Sequence, residues 1–250
     1  MKGIGELLTK NELSVLLEVI HSTLTSVTEE HLIERVNDLK HLFDFEFAAC
    51  ALHRAKGPLD ESHLINVSYP PAWFSLYIAR GYESVNPVVL ESARNWHDVQ
   101  YWADAARKYG PSDFLSDAQD VGLRQGYSHG VRSPKGDSTS LFSFGGNSLE
   151  RHPRTERILE HVVPHLDRVF RRILEEREKA DSSRVDLSSR EIEMLKWAKD
   201  GKTMWEISEI LSISENTVKA HLSHIMKKLG VVNRAQAVAA ALHKGLIDMD

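Results

Sequence analysis

The side chains with the clearest chemical purpose lie near the end of the chain, in residues 215–229. Apolar residues there recur at the spacing of one buried helix face, and the opposite face carries cations, imidazoles and hydroxyls. From Asn216 to Ile247 the chain holds five basic residues and no Asp or Glu, although its net charge is -5. Because a one-sided group of cations neutralises phosphates and releases their counterions, this face predicts contact with nucleic acid. The alternative is a solvated basic helix on an ordinary bundle.

The residues around this face predict the helices that position it. Gly201 ends one predicted helix, and Thr203 and Ser214 can cap the next two. Two short helices joined by a tight turn at 212–214 form the arrangement that places the second helix in the major groove of DNA. The four helices expected in this part of the chain cover residues 189–200, 203–211, 215–229 and 234–244.

Residues 187–247 resemble the LuxR-type helix-turn-helix domain of bacterial transcription regulators. The resemblance implies that residues 203–222 form the helix-turn-helix unit. It also implies that Glu191, close to Arg190 and Arg234, braces the fold and does not touch DNA. The matching positions are Leu187, Arg190, Glu191, Leu195, Trp197, Gly201, Ile207, Ile210, Leu211, Ser214, Thr217, Val218, His221, Leu229, Arg234, Ala237 and Gly245.

The resemblance also separates the candidate DNA contacts by what they reach. Lys219 and Ser223 are placed to reach base edges, and Thr217 and His221 lie nearby. Contacts to phosphate fix the register of a protein on DNA without reading its sequence. The candidates for that role are Lys202, Thr203, Asn216 and Lys228, and the same outward face includes His224 and Lys227.

A second set of residues, earlier in the chain, joins apolar rings to polar tips. Tyr69, Trp73 and Tyr77 recur every fourth residue. A small amphiphile needs an apolar slot with a few donors and acceptors, and Tyr and Trp side chains supply both. The alternative is that these rings are core aromatics one helical turn apart. Further residues in the same pattern are Asn86, Pro87, Tyr101, Trp102 and Gly126.

This second set resembles the autoinducer-binding domain of LuxR-type quorum-sensing receptors, which bind acyl-homoserine lactones between a five-stranded antiparallel sheet and helices. The resemblance implies that Tyr69 and Trp73 face the ligand head, with Trp73 donating a hydrogen bond to the lactone carbonyl. Tyr77 then helps to hold the acyl portion, and the family's glycine corresponds to Gly126. Strand alignment adds Ser143 to the pocket, with an ordinary core serine as the alternative.

Two departures from the family pattern concern the ligand. The family has an Asp that accepts a hydrogen bond from the ligand amide, and this chain has Asn86 there. Asn still accepts through its oxygen, but it lacks the charge-assisted strength and adds a donor that needs a partner. The later Trp lies one residue further from Asn86, so Tyr101 or Trp102 fills that position. We therefore expect a weakened or altered specificity, or a receptor that folds without ligand.

Helical and strand patterns alternate over the first 175 residues, and only helices follow. The sequence thus predicts an α+β chain. Its N-terminal part is an α/β/α sandwich, for which the resemblance supplies a five-stranded antiparallel sheet, and a small all-α four-helix domain follows. We assign 1–174 to ligand binding and dimerisation, 175–185 to a charged linker and 186–250 to DNA binding. Predicted helices in the first part cover 10–24, 29–42, 71–81, 87–94, 112–121 and 153–179, and predicted strands cover 45–53, 63–69, 126–133 and 138–145.

Bulk properties narrow the function classes. A single cysteine, Cys50, cannot form an internal disulfide, which fits a reducing cytoplasm. No stretch approaches the roughly 18 consecutive apolar residues of a membrane span, so we expect a cytoplasmic protein with no membrane partner. The 13 histidines form no zinc pair on a stable helix, and no phosphate-binding loop or Ser/His/Asp set is evident. We therefore expect no enzyme and no cofactor other than a small autoinducer-type ligand.

Together these features predict a quorum-sensing transcription regulator that binds double-stranded DNA under the control of a small signal. We expect a homodimer through helix 153–179, because Val162, Val169, Phe170 and Ile173 exceed what one sandwich face needs. Two recognition helices would then meet half-sites roughly 10 base pairs apart on a near-palindromic operator, with RNA polymerase as a further candidate partner. The rival prediction is a ligand-independent regulator whose N-terminal domain serves only dimerisation or protein contact.

Overall fold

Residues 3–54, 59, 61–184 and 187–248 are described by the structure, which is a computed structural model. The chain divides into two units, Met1–Leu174 and Glu175–Asp250. Each unit has its own apolar core. Among the described residues, no helix is both long enough and apolar enough to cross a lipid bilayer.

A five-stranded antiparallel sheet forms the centre of the first unit, as the resemblance implies. The strand order is β2-β1-β5-β4-β3, so the two long strands β1 and β5 lie next to each other. Successive residues of a strand point to opposite faces of the sheet, which lets the same strands line two different layers. The strands are β1 (Phe47–Arg54), β2 (Leu64–Asn66), β3 (Gln100–Tyr101), β4 (Gln125–Arg132) and β5 (Ser138–Gly146).

Helices cover both faces of this sheet. One face packs against α2, α3 and α8 in the main apolar core, and the other packs against an aromatic cluster from α4 and α7. The layers therefore form the expected α/β/α sandwich. The helices of this part of the chain are α1 (Ile4–Leu7), α2 (Lys10–Ser22), α3 (Glu29–Asp38), α4 (Pro71–Ala79), α5 (Pro87–Arg94), α6 (Trp102–Tyr109), α7 (Asp113–Asp120) and α8 (Pro153–Arg184).

Two elements lie between residues 94 and 112, where the sequence analysis predicts no helix or strand and hence a loop. Strand β3 has only two residues, and its pairing with Tyr127 and Ser128 of β4 defines it. Helix α6 begins after Tyr101, whose side chain makes no capping hydrogen bond, so the sequence carries no start signal there. The loop prediction is wrong for both segments.

The predicted charged linker, 175–185, is helical over most of its length. Helix α8 continues to Arg184, with Pro164 inside it, and residues 185 and 186 lie outside the described residues. Glu, Lys, Arg and Ala are good helix formers, and Lys179 pairs with Glu176 at 2.6 Å one turn earlier. A charged segment with few apolar residues can therefore remain helical.

The predicted dimer contact on α8 is wrong in its residues. Val162, Val169 and Phe170 are 0% exposed and Ile173 is 6% exposed within the single chain. They pack in the main core of the first unit, on the sheet face that also receives α2 and α3. Side chains that a chain has already buried cannot form an interface with a second copy.

The second unit holds the four helices expected from the sequence. The side chains of Ser188, Thr203, Ser214 and Asn233 each accept a hydrogen bond from the backbone N–H three residues later, which fixes where each helix begins. Leu195, Ile207, Val218 and Ile225 lie in the shared core. The helices are α9 (Ser189–Lys199), α10 (Met204–Leu211), α11 (Glu215–Lys228) and α12 (Arg234–His243).

Candidate functional site

A cavity of about 370 Å³ lies between the sheet and helices α4 to α7. Small side chains form its floor on the sheet. Ser143 of β5 is the register partner of both Ala49 of β1 and Ser128 of β4, so these three residues form one row across the sheet. The next pocket-facing position along β1 is Ala51, opposite Leu141. A floor of small residues leaves space that larger side chains would fill in a packed core, and a ligand can occupy that space.

Three predicted aromatic residues, Tyr69, Trp73 and Tyr77, line this cavity. Trp73 is only 3% exposed, and its ring lies 6.1 Å from that of Tyr77 in an edge-to-face contact. Its indole N–H makes no hydrogen bond within the described residues, so a ligand acceptor can receive one. Burial raises the pKa of the Tyr69 and Tyr77 phenols, which keeps both neutral and able to donate. The rings are therefore both core aromatics and cavity walls.

Asn86 lines the cavity with both of its side-chain atoms engaged. Its Oδ1 accepts a hydrogen bond from the Val88 N–H at 2.9 Å, and its Nδ2 donates to the Tyr77 hydroxyl at 3.1 Å. A backbone N–H can only donate, so the atom facing Val88 must be the oxygen and the amide orientation is fixed. The Tyr77 oxygen thus receives a hydrogen bond from Asn86 and keeps its own hydrogen for another acceptor.

The sequence analysis left either Tyr101 or Trp102 for the second Trp position of the pocket, and the structure has Trp102 there. It lines the cavity, and its Nε1 donates to the Ser128 hydroxyl at 2.9 Å, which in turn lies 2.8 Å from the Ser143 hydroxyl. Tyr101 instead bonds Gln125 and the Leu149 carbonyl at its hydroxyl, outside the cavity. The structure therefore brings Trp102, and not Tyr101, to the pocket.

Gly126 does not line the cavity but determines where Trp102 lies. A Cβ at Gly126 would approach the Trp102 ring to 2.8 Å and would also meet the Phe144 carbonyl. The indole thus packs against a strand that has no side chain at this point. Pro87 and Ser143, by contrast, both belong to the cavity lining as the sequence analysis expects.

Several lining residues were not identified from the sequence. His53 lies on the same face of β1 as Ala49 and Ala51, and the alternation of that strand is the signal that could have found it. Helix α7 contributes Phe114 and Leu115. The helices that supply the remaining wall could not be placed over the sheet from local patterns. The other unpredicted lining residues include Leu59, Leu64, Ala106, Arg107, Gln119, Leu123 and Arg124.

In the second unit, helix α11 buries one face and exposes the other. Val218 and Ile225 are 0% exposed, whereas Lys219 on the opposite side is exposed. Thr217 and His221 are half-buried at the edges of this face. The predicted contact residues that are exposed on it are Asn216, Lys219, Ser223, His224, Lys227 and Lys228.

Lys228 differs from the other cations of this face because it pairs with a buried carboxylate. Its Nζ lies 2.7 Å from Oε2 of Glu191, and the Glu191 side chain is 5% exposed. Glu191 also receives hydrogen bonds from the Ser188 backbone and hydroxyl. The guanidinium of Arg234 bonds the carbonyls of Ala198 and Lys202 instead. The side-chain cation that pairs with Glu191 is therefore Lys228, and Arg234 bonds backbone carbonyls.

The two candidates before α10 are partly engaged as well. Thr203 caps α10, and the Glu206 carboxylate accepts a hydrogen bond from the Thr203 N–H at 2.7 Å. Lys202 lies 3.4 Å from the Glu206 carboxylate. Within the described part of the chain, no group of three or more His, Cys, Asp or Glu side chains is placed to hold a metal ion.

Comparison with known proteins places both units. A family model described as "Autoinducer binding domain" matches residues 28–170, and one described as "Bacterial regulatory proteins, luxR family" matches residues 185–241. The transcriptional activator protein VanR of Vibrio anguillarum is 29% identical over 243 residues, covering 93% of this chain and 98% of VanR. The quorum sensing-dependent transcriptional regulator RpaR of Rhodopseudomonas palustris is 34% identical over 193 residues, covering 76% of each chain.

Solved structures share the fold at lower identity. Escherichia coli SdiA is similar with a TM-score of 0.61 and 23% identity, over 94% of this chain and 99% of SdiA. SdiA in complex with octanoyl-rac-glycerol is similar with a TM-score of 0.62 and 22% identity, over 97% and 99% of the two chains. These likenesses confirm the sandwich with its five-stranded sheet and the separate helical domain.

Proposed function

The chain belongs to the LuxR family of bacterial regulatory proteins, and on that premise we propose that a small amphiphilic signal in its cavity controls its binding to operator DNA. The DNA-binding regulator is the part that the family membership supports directly. The identity of the signal, the dimer and the individual contacts are our proposals.

The proposed DNA contact is the outer face of α11. Lys219 and Ser223 are exposed there, one helical turn apart, where a helix in the major groove presents side chains to base edges. Asn216 and Lys227 lie at the two ends of the helix, where phosphates flank a bound groove. Lys228 is held by Glu191, so we assign it mainly to the stability of the helical domain. We also assign Lys202 and Thr203, next to the start of α10, to phosphate contacts.

We infer that the protein acts as a homodimer on a near-palindromic operator in the cytoplasm. Two recognition helices related by a two-fold axis would meet half-sites roughly 10 base pairs apart. The four apolar α8 residues are unavailable for this dimer, so its interface must use other surfaces. RNA polymerase is a further partner for a regulator of this kind.

The proposed signal is an acyl-homoserine lactone or a related acyl compound, as quorum sensing requires a diffusible molecule. Trp73 and the freed hydrogen of Tyr77 both donate into the cavity, and Asn86 presents no carboxylate to accept a ligand N–H. Among the described residues, the cavity thus offers donors but no carboxylate acceptor. It favours a ligand whose acyl chain is joined by an ester, which only accepts hydrogen bonds, over one joined by an amide, which also donates. The SdiA complex with octanoyl-rac-glycerol is an example of a structural relative that holds an acyl ester.

The cavity of about 370 Å³ is the single observation that supports a sensor over a ligand-independent regulator. A domain used only for dimerisation would be packed to the usual density of a protein interior. Mass spectrometry of the full chain purified from bacterial extract, under native and then denaturing conditions, tests this. We expect a small acyl compound to be released on unfolding. A chain that binds operator equally well with an empty cavity, and gains nothing from added acyl compounds, would support the rival function.

A further inference from the structure

His53 and Glu83 form a polar pair at the wall of the cavity. His53 lines the cavity from the last pocket-facing position of β1, and Leu64 lies opposite Ala51, the pocket-facing position before it. Its Nδ1 lies 2.6 Å from Oε1 of Glu83, and the two side chains are 13% and 22% exposed. Glu83 is fixed in turn, because its Oε2 accepts a hydrogen bond from the Leu59 N–H at 2.6 Å.

The geometry of this pair decides which nitrogen a ligand can reach. Burial raises the pKa of Glu83, but the hydrogen bonds from His53 and Leu59 outweigh it and hold the pKa below its ordinary value. The carboxylate is therefore ionised and can only accept, so Nδ1 carries the proton between them. Nε2 of His53 makes no hydrogen bond to the described residues. It is the ring nitrogen left for a molecule in the cavity.

The sheet register places this pair far from the other polar groups of the floor. Ser143 and Ser128 lie in the row of Ala49, and His53 lies four residues further along β1, opposite Thr139. At about 3.3 Å per residue, this separation is about 13 Å along the strand. The side chains between them on this face of the sheet, Ala51 and Leu141, are apolar. The floor thus has polar groups at the Ser143 row and at His53, with apolar side chains between them.

We propose that His53, oriented by Glu83, is a second polar subsite that binds a hydroxyl at the far end of the ligand's acyl chain. A hydroxyl donates to Nε2 of the neutral ring and accepts from the protonated ring, so it satisfies either state. A plain methyl end would leave a polar nitrogen without a partner in a largely buried wall, which carries a cost. His53 is the specificity-determining residue, and Glu83 is the positioning residue. This inference rests on the proposed function, since it concerns the same cavity.

The test compares matched ligand twins on the full chain by isothermal titration calorimetry. The twins are decanoyl and ω-hydroxydecanoyl chains, each prepared on homoserine lactone and on glycerol. We expect the hydroxylated twin to bind the native chain roughly tenfold more tightly, as one hydrogen bond in a buried site allows. In His53→Leu the preference should reverse, because the hydroxyl then lies in an apolar wall without a partner. Glu83→Gln should lower the preference without removing it.

Leu64→Ala is the matched control, because it changes the apolar wall at the same end of the cavity. Both twins should lose affinity to the same extent there, so that their ratio is unchanged. Equal binding of the twins by the native chain, or a hydroxyl preference that persists in His53→Leu, would overturn the inference and leave the proposed function in place. Binding of neither twin on either head group would overturn the proposed signal and this inference together.

Discussion

The ammonium of Lys228 lies 2.7 Å from the buried carboxylate of Glu191, and this contact joins the end of α11 to the start of α9. Lys227, the residue before it, is also exposed on α11 but has no such partner among the described residues. We therefore expect these two neighbouring lysines to have different roles. One stabilises the helical domain, and the other is free to neutralise phosphate.

Replacing each lysine by alanine should separate these roles. Lys228→Ala leaves a buried carboxylate without its cationic partner, so we expect the free energy of unfolding to fall by about 1–3 kcal/mol. Lys227→Ala should change the free energy of unfolding by less than about 0.5 kcal/mol. The same change should make the fall of log K for DNA with log salt concentration shallower, by the amount expected for about one lost phosphate contact. Chemical unfolding and DNA titrations at several salt concentrations measure both effects. Equal loss of stability in the two variants would contradict this assignment.

Acid should weaken the same contact. Burial raises the pKa of Glu191, but hydrogen bonds from Lys228 and Ser188 outweigh it and leave the pKa below its ordinary value. A carboxyl with a lowered pKa in the folded chain adds stability above its unfolded pKa of about 4.3, and this stability is lost as pH falls through the folded pKa. Amide hydrogen exchange in residues 187–248 should therefore show a steeper loss of stability below about pH 4.3 in the native chain than in Glu191→Gln. Parallel profiles would show that Glu191 contributes nothing to the pH dependence.

The amide of Asn86 should set the choice between amide and ester ligands. Asn86→Asp replaces the donor that faces Tyr77 by an acceptor and keeps the hydrogen bond to the Val88 N–H. We expect the affinity for N-octanoyl-homoserine lactone to rise roughly tenfold, since a carboxylate accepts the ligand N–H more strongly. The affinity for octanoylglycerol should not rise. Asn86→Ser is the control, because serine also caps a helix but is too short to reach Tyr77. A similar gain for both ligands in Asn86→Asp would refute this explanation.

Gly126 should be required for the cavity wall. In Gly126→Ala the new Cβ would lie 2.8 Å from the Trp102 ring, so the indole must move and its hydrogen bond to Ser128 is lost. We expect a destabilisation of about 1–3 kcal/mol from overpacking, together with weaker ligand binding. Calorimetric unfolding with and without octanoylglycerol measures both. Gly5→Ala is a matched control, because a Cβ at Gly5 meets nothing within 4 Å. If octanoylglycerol stabilised Gly126→Ala as much as the native chain, Gly126 would not be required for the cavity wall.

Local signals predicted the helical domain well. The caps at Thr203 and Ser214 are visible in the sequence, and each is present as a side-chain hydrogen bond. The sandwich was harder because β3 exists only through its pairing with β4, and α6 has no capping residue. The apolar surplus on α8 suggested a dimer, yet the sheet and α2 of the same chain bury it. Which layers cover a helix is a property of the tertiary structure.

In the candidate site, too, residues close together in the chain were predicted and long-range pairs were not. Tyr69, Trp73, Tyr77 and Asn86 were found from sequence because they lie close together in the chain, just before and on α4 and at the cap of α5. His53 was not found, because it reaches the cavity from a strand and its partner Glu83 is 30 residues away. Likewise, no spacing rule links Lys228 to Glu191 across 37 residues. Long-range pairs of this kind depend on the packing of elements, which local patterns do not specify.

The central claim is that the outer face of α11 binds duplex DNA, and hydroxyl-radical footprinting of the full chain tests it most directly. Duplexes selected from a random pool by the native chain, with octanoylglycerol and octanoyl-homoserine lactone present, provide the operator. The prediction is two protected segments roughly 10 base pairs apart, lost in Lys219→Ala and retained in Lys10→Ala, which removes an exposed lysine from α2 of the other unit. A footprint that is the same in Lys219→Ala as in the native chain, or failure of the native chain to select any duplex, would contradict the claim.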